Sequence, residues 1–415
     1  MPGSAEIFYF VASYDRSYTL GVKNTPAANL SGQILVLTIG RLFLNTGIRM
    51  VYPFIPALAR GLGVPISDLY TLVLVRNFAG FFCPLFGPMT DRYGRKPMMV
   101  GAMLLFSLGC LLVVVAPGYW VLGATLAVIA LAKVIYDPAM QAYLGDVVPY
   151  RERGWAIALT ELAWAGGLLV GAPAAGFLIE QQGWQAPFLW LGLLGVGAAL
   201  LLWRYLPGSP RRVGPAPRWR DLVTTLRRYP VIWAAAAYLM LAMGANETLF
   251  IIYGDWMEDS FGLSLTSLGL AAAVIGISEV TGELGVGTAV DRLGKRPVVI
   301  VTGCINVLLY LTIPSLSLTL TSALISLFLL FLSFEMTLVG SVPLLTELVP
   351  QARGLVMSMA IAAGALGRTI GAIIGPIIWE TAGFHLTGLV AAVIMGVAVI
   401  ILAVWVREGE NENDG

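Results

Sequence analysis

The chain has 415 residues, of which 58% are hydrophobic and only 12% charged, and its mean hydropathy is +0.83. A soluble domain carries about twice that charge fraction, so this much apolar surface needs lipid as its solvent, and a water-soluble globule is excluded. The formal net charge of +1 reflects segregated rather than absent charge, and the three cysteines (Cys83, Cys110, Cys304), scattered in apolar runs, offer neither a disulfide framework nor a metal spacing.

Residues 1–31 hold Asp15, Arg16, Lys23, Asn24 and Pro26 without a clean apolar core and cleavage site, which reads as a cytoplasmic tail and not a signal peptide. A membrane span needs about 20 mostly apolar residues. Six runs of that kind follow, over 32–60, 67–88, 98–116, 119–143, 154–180 and 185–206. Residues 207–229 are Pro-rich and strongly basic, and within them "RWRDLVTTLRR" fits a short amphipathic helix on an anionic leaflet or a solvated linker. Six more runs cover 230–253, 266–288, 298–316, 320–345, 354–380 and 385–406, and residues 407–415 form an acidic tail. The runs are continuous rather than alternating, which predicts helices. The expected fold is an all-α integral membrane protein with twelve transmembrane helices in two bundles, 32–206 and 230–406.

Lys and Arg set the orientation. One set of loops holds Arg92, Arg95, Lys96, Arg151, Arg153, seven arginines between 204 and 228, Arg292, Lys295, Arg296 and Arg353; the opposite set holds only Arg60. Both termini and the linker are therefore expected in the cytoplasm.

The chain repeats itself at an interval of 200 residues. "GPMTDRYGRKP" (87–97) returns as "GTAVDRLGKRP" (287–297), keeping Gly87, Asp91, Arg92, Gly94, Arg95 and Lys96 in register with Gly287, Asp291, Arg292, Gly294, Lys295 and Arg296. Arg153-Gly154 returns as Arg353-Gly354, and Gly167, Gly171 and Gly183 as Gly367, Gly371 and Gly383. Two copies of a six-span unit are one transporter architecture. With the motif G-x-x-x-D-R-x-G-[RK]-[RK] after spans 2 and 8 and a central basic linker, residues 32–406 resemble the major facilitator superfamily. That resemblance implies two six-helix bundles around a central cavity, pseudo-symmetric and working by alternating access. It implies that spans 1, 4, 7 and 10 line the cavity, 2, 5, 8 and 11 form the interface, and 3, 6, 9 and 12 face lipid. It also implies that Asp91, Arg92, Arg95 and Lys96 latch the cytoplasmic side to the opposite half when the protein opens outward.

Ionisable residues inside a bilayer are costly and tend to face water or partners. Here they fall in spans 1, 2, 4, 5, 7, 8, 10 and 11, and spans 3, 6, 9 and 12 have none in their interiors. Lys133 and Asp137 are four apart on one helical face, and Arg41, Asp137 and Glu161 lie at similar depth, which predicts a polar cluster. Asp137 and Glu161 are candidates for exchanging a cationic partner for a proton; a static ion-pair network is the competing reading. Glu279 and Glu283, also four apart, and Glu335 are further proton-coupling candidates. Arg49, beside Tyr52, is a candidate for an anionic substrate group. Arg41, Asn45, Lys133, Tyr136, Trp164, Glu247 and Arg368 complete the expected cavity set.

Span 5 carries "GGLLVGAPAAGFL", with Gly167, Gly171, Pro173 and Gly176, which resembles the Gly-Pro motif of proton-driven exporters; span 11 carries Gly371, Gly375 and Pro376. Small residues there predict close packing between the halves, although Ala172 interrupts the exporter pattern. No phosphate-binding loop, H-E-x-x-H or Cys/His cluster is present, so neither an enzyme nor a cofactor is expected. The expected function is a monomeric secondary transporter of the cell membrane, moving a small amphipathic solute by proton-coupled efflux, with no nucleic-acid partner. Proton-coupled import of an organic anion, a flippase for lipid-like molecules and a non-transporting membrane sensor are the alternatives.

Overall fold

The computed structural model describes residues 30–78, 80, 86, 89–90, 92–149, 152–208, 219–349 and 352–406. Cys83, Gly87, Asp91 and most of both expected tails lie outside them. Every regular element among the described residues is a helix.

The first expected span is two helices, α1 (Leu30–Arg49) and α2 (Val51–Leu62), bent by 54°. Pro53 explains the position of the break: it has no N–H to offer the Arg49 carbonyl four residues back, and its ring presses on that carbonyl. Next come α3 (Ile66–Phe78), α4 (Arg95–Val115) and α5 (Tyr119–Val147). The fifth expected span is α6 (Arg153–Gly166), a π-helical turn at Gly167–Gly171, and α7 (Ala172–Gln182). The π turn sits just before Pro173, where the missing N–H shifts the ladder by one residue. After α8 (Ala186–Tyr205), the linker contains α9 (Trp219–Arg228).

The second half runs through α10 (Val231–Phe250), α11 (Tyr253–Phe261), α12 (Leu265–Leu293), α13 (Lys295–Leu316) and α14 (Leu320–Glu347). It ends with α15 (Arg353–Trp405). At 1.5 Å per residue α15 would be about 80 Å long, but Gly383 at φ 75°, ψ −175° breaks it into the two expected spans. Among the described residues nine helices are long and apolar enough to cross a membrane, or ten with the bent pair α1–α2 as one. Twelve is not reached in this count because α15 is one run and the second expected span, 67–88, is only partly among the described residues.

The repeat persists in the backbone. Among the described residues, all six with positive φ are glycines, and they fall in pairs 199 or 200 apart: Gly63 and Gly262 (67° and 59°), Gly94 and Gly294 (95° and 87°), Gly183 and Gly383 (92° and 75°). Only glycine adopts these conformations without a Cβ penalty.

Helices α1 to α8 pack chiefly on one another, as do α10 to α15. The halves meet where α12 runs along α6, the π turn and α7, where α3 meets the first part of the α15 run, and where α2 meets α11 and α12. Large apolar side chains face outward on α4 (Leu108, 65% exposed), α8 (Leu200, 65%), α13 (Leu308, 61%) and the last part of α15 (Ile400, 58%). In water such a girdle would be a liability; in lipid it is the expected outer surface.

Candidate functional site

Between the halves lies a cavity of about 350 Å3 lined from α1, α2, α3, α5, α6, α10, α12, α14 and α15. Its charged groups form three tiers, taken here from the end that carries the linker toward the far end.

The first tier joins α1, α5 and α6. Arg41 contacts Asp137 (3.3 Å) and Glu161 (2.8 Å) and donates to the Thr160 carbonyl (2.9 Å). Lys133 Nζ contacts Asp137 at 2.6 Å and donates to Asn45 Oδ1 at 2.7 Å. Asp137 thus holds two cations while keeping an edge on the cavity. Tyr136, expected on the cavity wall, is fully buried in its own half and donates to the Leu37 carbonyl. Helix geometry accounts for this: at about 100° per residue the cavity face of α5 carries Ala130, Lys133, Val134, Asp137, Pro138 and Gln141, and Tyr136 falls on the side turned to α1.

The second tier crosses the halves. Arg49 binds both carboxylate oxygens of Glu279 (2.5 and 2.6 Å) and donates to the Trp164 carbonyl (3.0 Å). Its guanidinium lies over the Trp164 ring, 4.3 Å from the centroid. Sequence leaves Arg49 between an anion site and a structural role and puts Glu279 on one helical face with Glu283; here Arg49 and Glu279 are each other's partner. Glu283 is half-buried, and among the described residues it has no hydrogen bond or ion pair.

The third tier is the cavity floor. Arg76 donates to the Tyr52 hydroxyl (2.6 Å), which donates to Glu247 (2.7 Å); Glu247 also accepts from Asn77 (3.3 Å) and pairs with Arg368 (3.0 Å). Glu247 is wholly buried, so three polar partners, Tyr52, Asn77 and Arg368, replace its water, as a buried carboxylate requires. It stands behind the lining, as do Arg41, Asn45 and Glu161, whereas Arg49, Tyr52, Lys133, Trp164, Glu279, Glu335 and Arg368 line the cavity.

Beyond the floor the halves are clasped at the far end. Asp255 on α11 accepts from Tyr70 (3.4 Å) and Trp379 (2.7 Å), Arg60 pairs with Glu258 (2.8 Å), and Glu180 accepts the Thr266 backbone N–H (2.8 Å). Gly254 lies so close to α2 that a Cβ would sit 2.5 Å from the Pro53 oxygen. The cavity extends the other way, where Gln141 and Leu338 line it.

The Gly/Pro stretches pack both between and within the halves: across the boundary Gly269 of α12 lies against Ala172 and Pro173, and Gly276 against Leu169. Gly167 and Gly171 lie against Asn45 and Thr46 of α1, and Gly371 and Gly375 against Gly244 and Thr248 of α10, each within one half. Gly176 does cross, onto the Leu265 carbonyl. Pro173 and Pro376 lie inside the same two helical stretches. At the linker end the repeated motif binds within its own half: Arg95 to Asp146 (3.0 Å), Lys96 to the Leu206 carbonyl (2.7 Å), Lys295 to Glu347 (2.5 Å), and Arg296 to the Ala403 carbonyl (2.6 Å). Arg92 lies over the Tyr93 ring at 5.6 Å, and Asp291 and Arg292 are exposed.

Sequence reasoning passed over Asn77, Asn246, Tyr70, Asp255 and Trp379 as site residues. Asn246-Glu247, two polar residues inside a span, was the available signal for the floor. Asp255 falls beyond the expected seventh span, 230–253, and α11 carries helix past that end.

A family model described as the Major Facilitator Superfamily matches residues 37–343 and, in an overlapping match, 239–415. Among curated relatives, Multidrug resistance protein 2 of Bacillus subtilis (strain 168) is 24% identical over 405 residues, covering 91% of this chain and 96% of that one. The class C tetracycline resistance protein of Escherichia coli is 27% identical over 289 residues, covering 65% and 70%. Among solved structures, a D-xylose-proton symporter superposes with a TM-score of 0.75 at 17% identity, over 92% of this chain and 98% of that one, which shows a shared fold.

Proposed function

The chain belongs to the Major Facilitator Superfamily, and from that premise we propose that it exports a small amphipathic solute across the cell membrane in exchange for protons. The observation that carries this reading is Asp137, a carboxylate shared by Arg41 and Lys133 at the edge of the cavity. A proton arriving on Asp137 removes the counter-charge of both cations, so that Arg41 rests on Glu161 and Lys133 on Asn45 and the ring of Trp164. Trp164 also lies under Arg49, so protonation at the first tier reaches the cross-half pair at the second through one shared aromatic. The relatives named for multidrug and tetracycline resistance favour export over import.

In this reading the linker end is cytoplasmic, following the Lys and Arg bias of its loops. The form described here is then closed outside and receptive inside. The clasp of Asp255, Glu258 and Gly254 opens in the other half of the cycle, while Arg95 and Lys96 exchange their own-half partners for the opposite half. The bundles correspond to 32–206 and 230–406, joined by the basic linker.

The test is reconstitution of the purified chain in proteoliposomes with an imposed pH gradient and a panel of cationic, anionic and lipid-like solutes. Solute movement against the proton gradient, lost in Asp137→Asn, is the expected result. Undiminished gradient-driven transport by Asp137→Asn removes that carboxylate from the coupling step.

A further inference from the structure

The fold leaves two charged groups of opposite sign in the cavity with binding capacity it does not use. The first is Arg368. It gives one guanidinium nitrogen to Glu247, its other N–H groups have no partner among the described residues, and its side chain is 23% exposed where it lines the cavity. Asn246, the residue before Glu247, lines the cavity beside it and is 3% exposed. It approaches Tyr310, yet among the described residues neither its amide nitrogen nor that hydroxyl has a partner in hydrogen-bond geometry. The tier as a whole carries Arg76 and Arg368 against the single carboxylate of Glu247, an excess of one positive charge.

The second group is Glu335 on α14. It lines the cavity, is 7% exposed, and makes no hydrogen bond or ion pair among the described residues. The charges that act on it are Glu279, Glu283, Glu161 and Arg49, and Arg49 is already held at both oxygens of Glu279. An unpartnered carboxylate in such acidic surroundings is a place for a cation, and the Phe331 and Phe334 rings on the same helix also line the cavity. Aromatic faces add to the attraction for a desolvated cation.

Resting on the export reading above, we propose that the cavity takes a zwitterionic amphipathic solute, its anionic group on Arg368 and Asn246 and its cationic group at Glu335. A solute with only one charge leaves one of the two groups without a partner in a low-dielectric space, where a buried carboxyl without one is kept neutral by a proton instead. A zwitterion satisfies both, and its apolar body meets Trp164 and Phe250. The volume of about 350 Å3 suits a molecule of small-drug size.

The experiment measures binding to the purified full-length protein by calorimetry, using a matched aromatic set: 4-(trimethylammoniomethyl)benzoate, benzyltrimethylammonium and benzoate. The zwitterion is expected to bind at least about tenfold more tightly than either singly charged probe, the scale of one charge-assisted hydrogen bond. Arg368→Gln should weaken the zwitterion and benzoate and spare benzyltrimethylammonium. Glu335→Gln should weaken the zwitterion and benzyltrimethylammonium and spare benzoate. Because Arg368→Gln strips Glu247 of its counter-charge and can unfold the chain, Asn246→Ala serves as the second variant and should lower zwitterion and benzoate binding alone. Tightest binding by benzyltrimethylammonium with no effect of Asn246→Ala, or no binding by any of the three, overturns the proposal. Export itself is read separately, by gradient-driven transport of the broad panel, so a charge preference that fails here leaves that reading standing.

Discussion

Arg49 and Glu279, 230 residues apart, bind each other through two hydrogen bonds across the boundary between the halves, both at most 5% exposed. The pair sits between the Asp137 cluster and the Glu247 floor, and Trp164 lies against both Arg49 and Lys133. Any relative movement of the halves must therefore carry or break it.

Arg49→Met strands the Glu279 carboxylate in a buried site. Losing one partner of a buried pair costs about 3–5 kcal/mol, so the unfolding temperature in detergent should fall sharply by scanning fluorimetry. Replacing both, as Arg49→Met with Glu279→Leu, should recover most of that temperature without restoring transport. Equal instability of the single and double variants would remove the ion pair as the cause.

Asp137→Asn should abolish the proton release or uptake that accompanies substrate addition, while substrate exchange between the two sides of a vesicle continues. Stopped-flow recording with a pH dye reads the first and radiolabel counterflow the second. Loss of both would assign Asp137 to substrate binding instead.

Two glycine-to-alanine changes should part company. At Gly371 a Cβ meets the Gly244 carbonyl oxygen at 2.5 Å inside one half, a contact that no state of the cycle relieves. Gly371→Ala should lower stability under all conditions. At Gly254 the clash is with Pro53 and Tyr52 of the other half, so Gly254→Ala should favour opening of the far end. The readout is faster maleimide labelling of Met257→Cys, buried in this state, in a background lacking the three native cysteines.

Asp255 receives the Trp379 and Tyr70 donors on one carboxylate oxygen. Tyr70→Phe removes the bond that crosses between the halves, and at about 0.5–1.5 kcal/mol per bond labelling at position 257 should rise roughly two- to tenfold. Adding Trp379→Phe, which frees the Asp255 carboxylate from its own half, should raise it further. An unchanged rate in the double variant would show that apolar packing alone closes this end.

Gly94 and Gly294 adopt nearly the same positive φ. Both hold ψ near 150°, a region almost closed to residues with a Cβ, so alanine at either should cost about 1–3 kcal/mol of backbone strain, with similar losses in unfolding temperature for the two. A marked difference would indicate that one turn relaxes where the other cannot.

The helices were legible because a span needs a long apolar run, and the composition leaves few other structures in lipid. The 200-residue repeat announced paired turns, and Gly94 with Gly294 and Gly183 with Gly383 carry them out in the backbone. The Arg41–Asp137–Glu161 cluster could be anticipated from depth, since rise per residue converts sequence position into height. Depth alone does not give azimuth. That is why Tyr136 was placed on a wall it does not reach, and why the π turn before Pro173, which rotates everything after it, went unforeseen.

By itself the sequence determined the solvent, the helical segments, the duplication and the set of charges that had to be shielded inside. Each of these follows from local composition or from spacing along one helix. The tertiary structure alone decided the partners: Arg49 with Glu279, Glu247 with Tyr52, Asn77 and Arg368, and Asp255 with Tyr70 and Trp379. Arg49 and Glu279, 230 residues apart, or Tyr52 and Glu247, 195 apart, meet only when two bundles present particular faces to each other. That orientation is set by the packing of all the helices at once, so no single stretch of sequence records which buried charges are satisfied and which, like Glu335 and the outer edge of Arg368, are left for a solute.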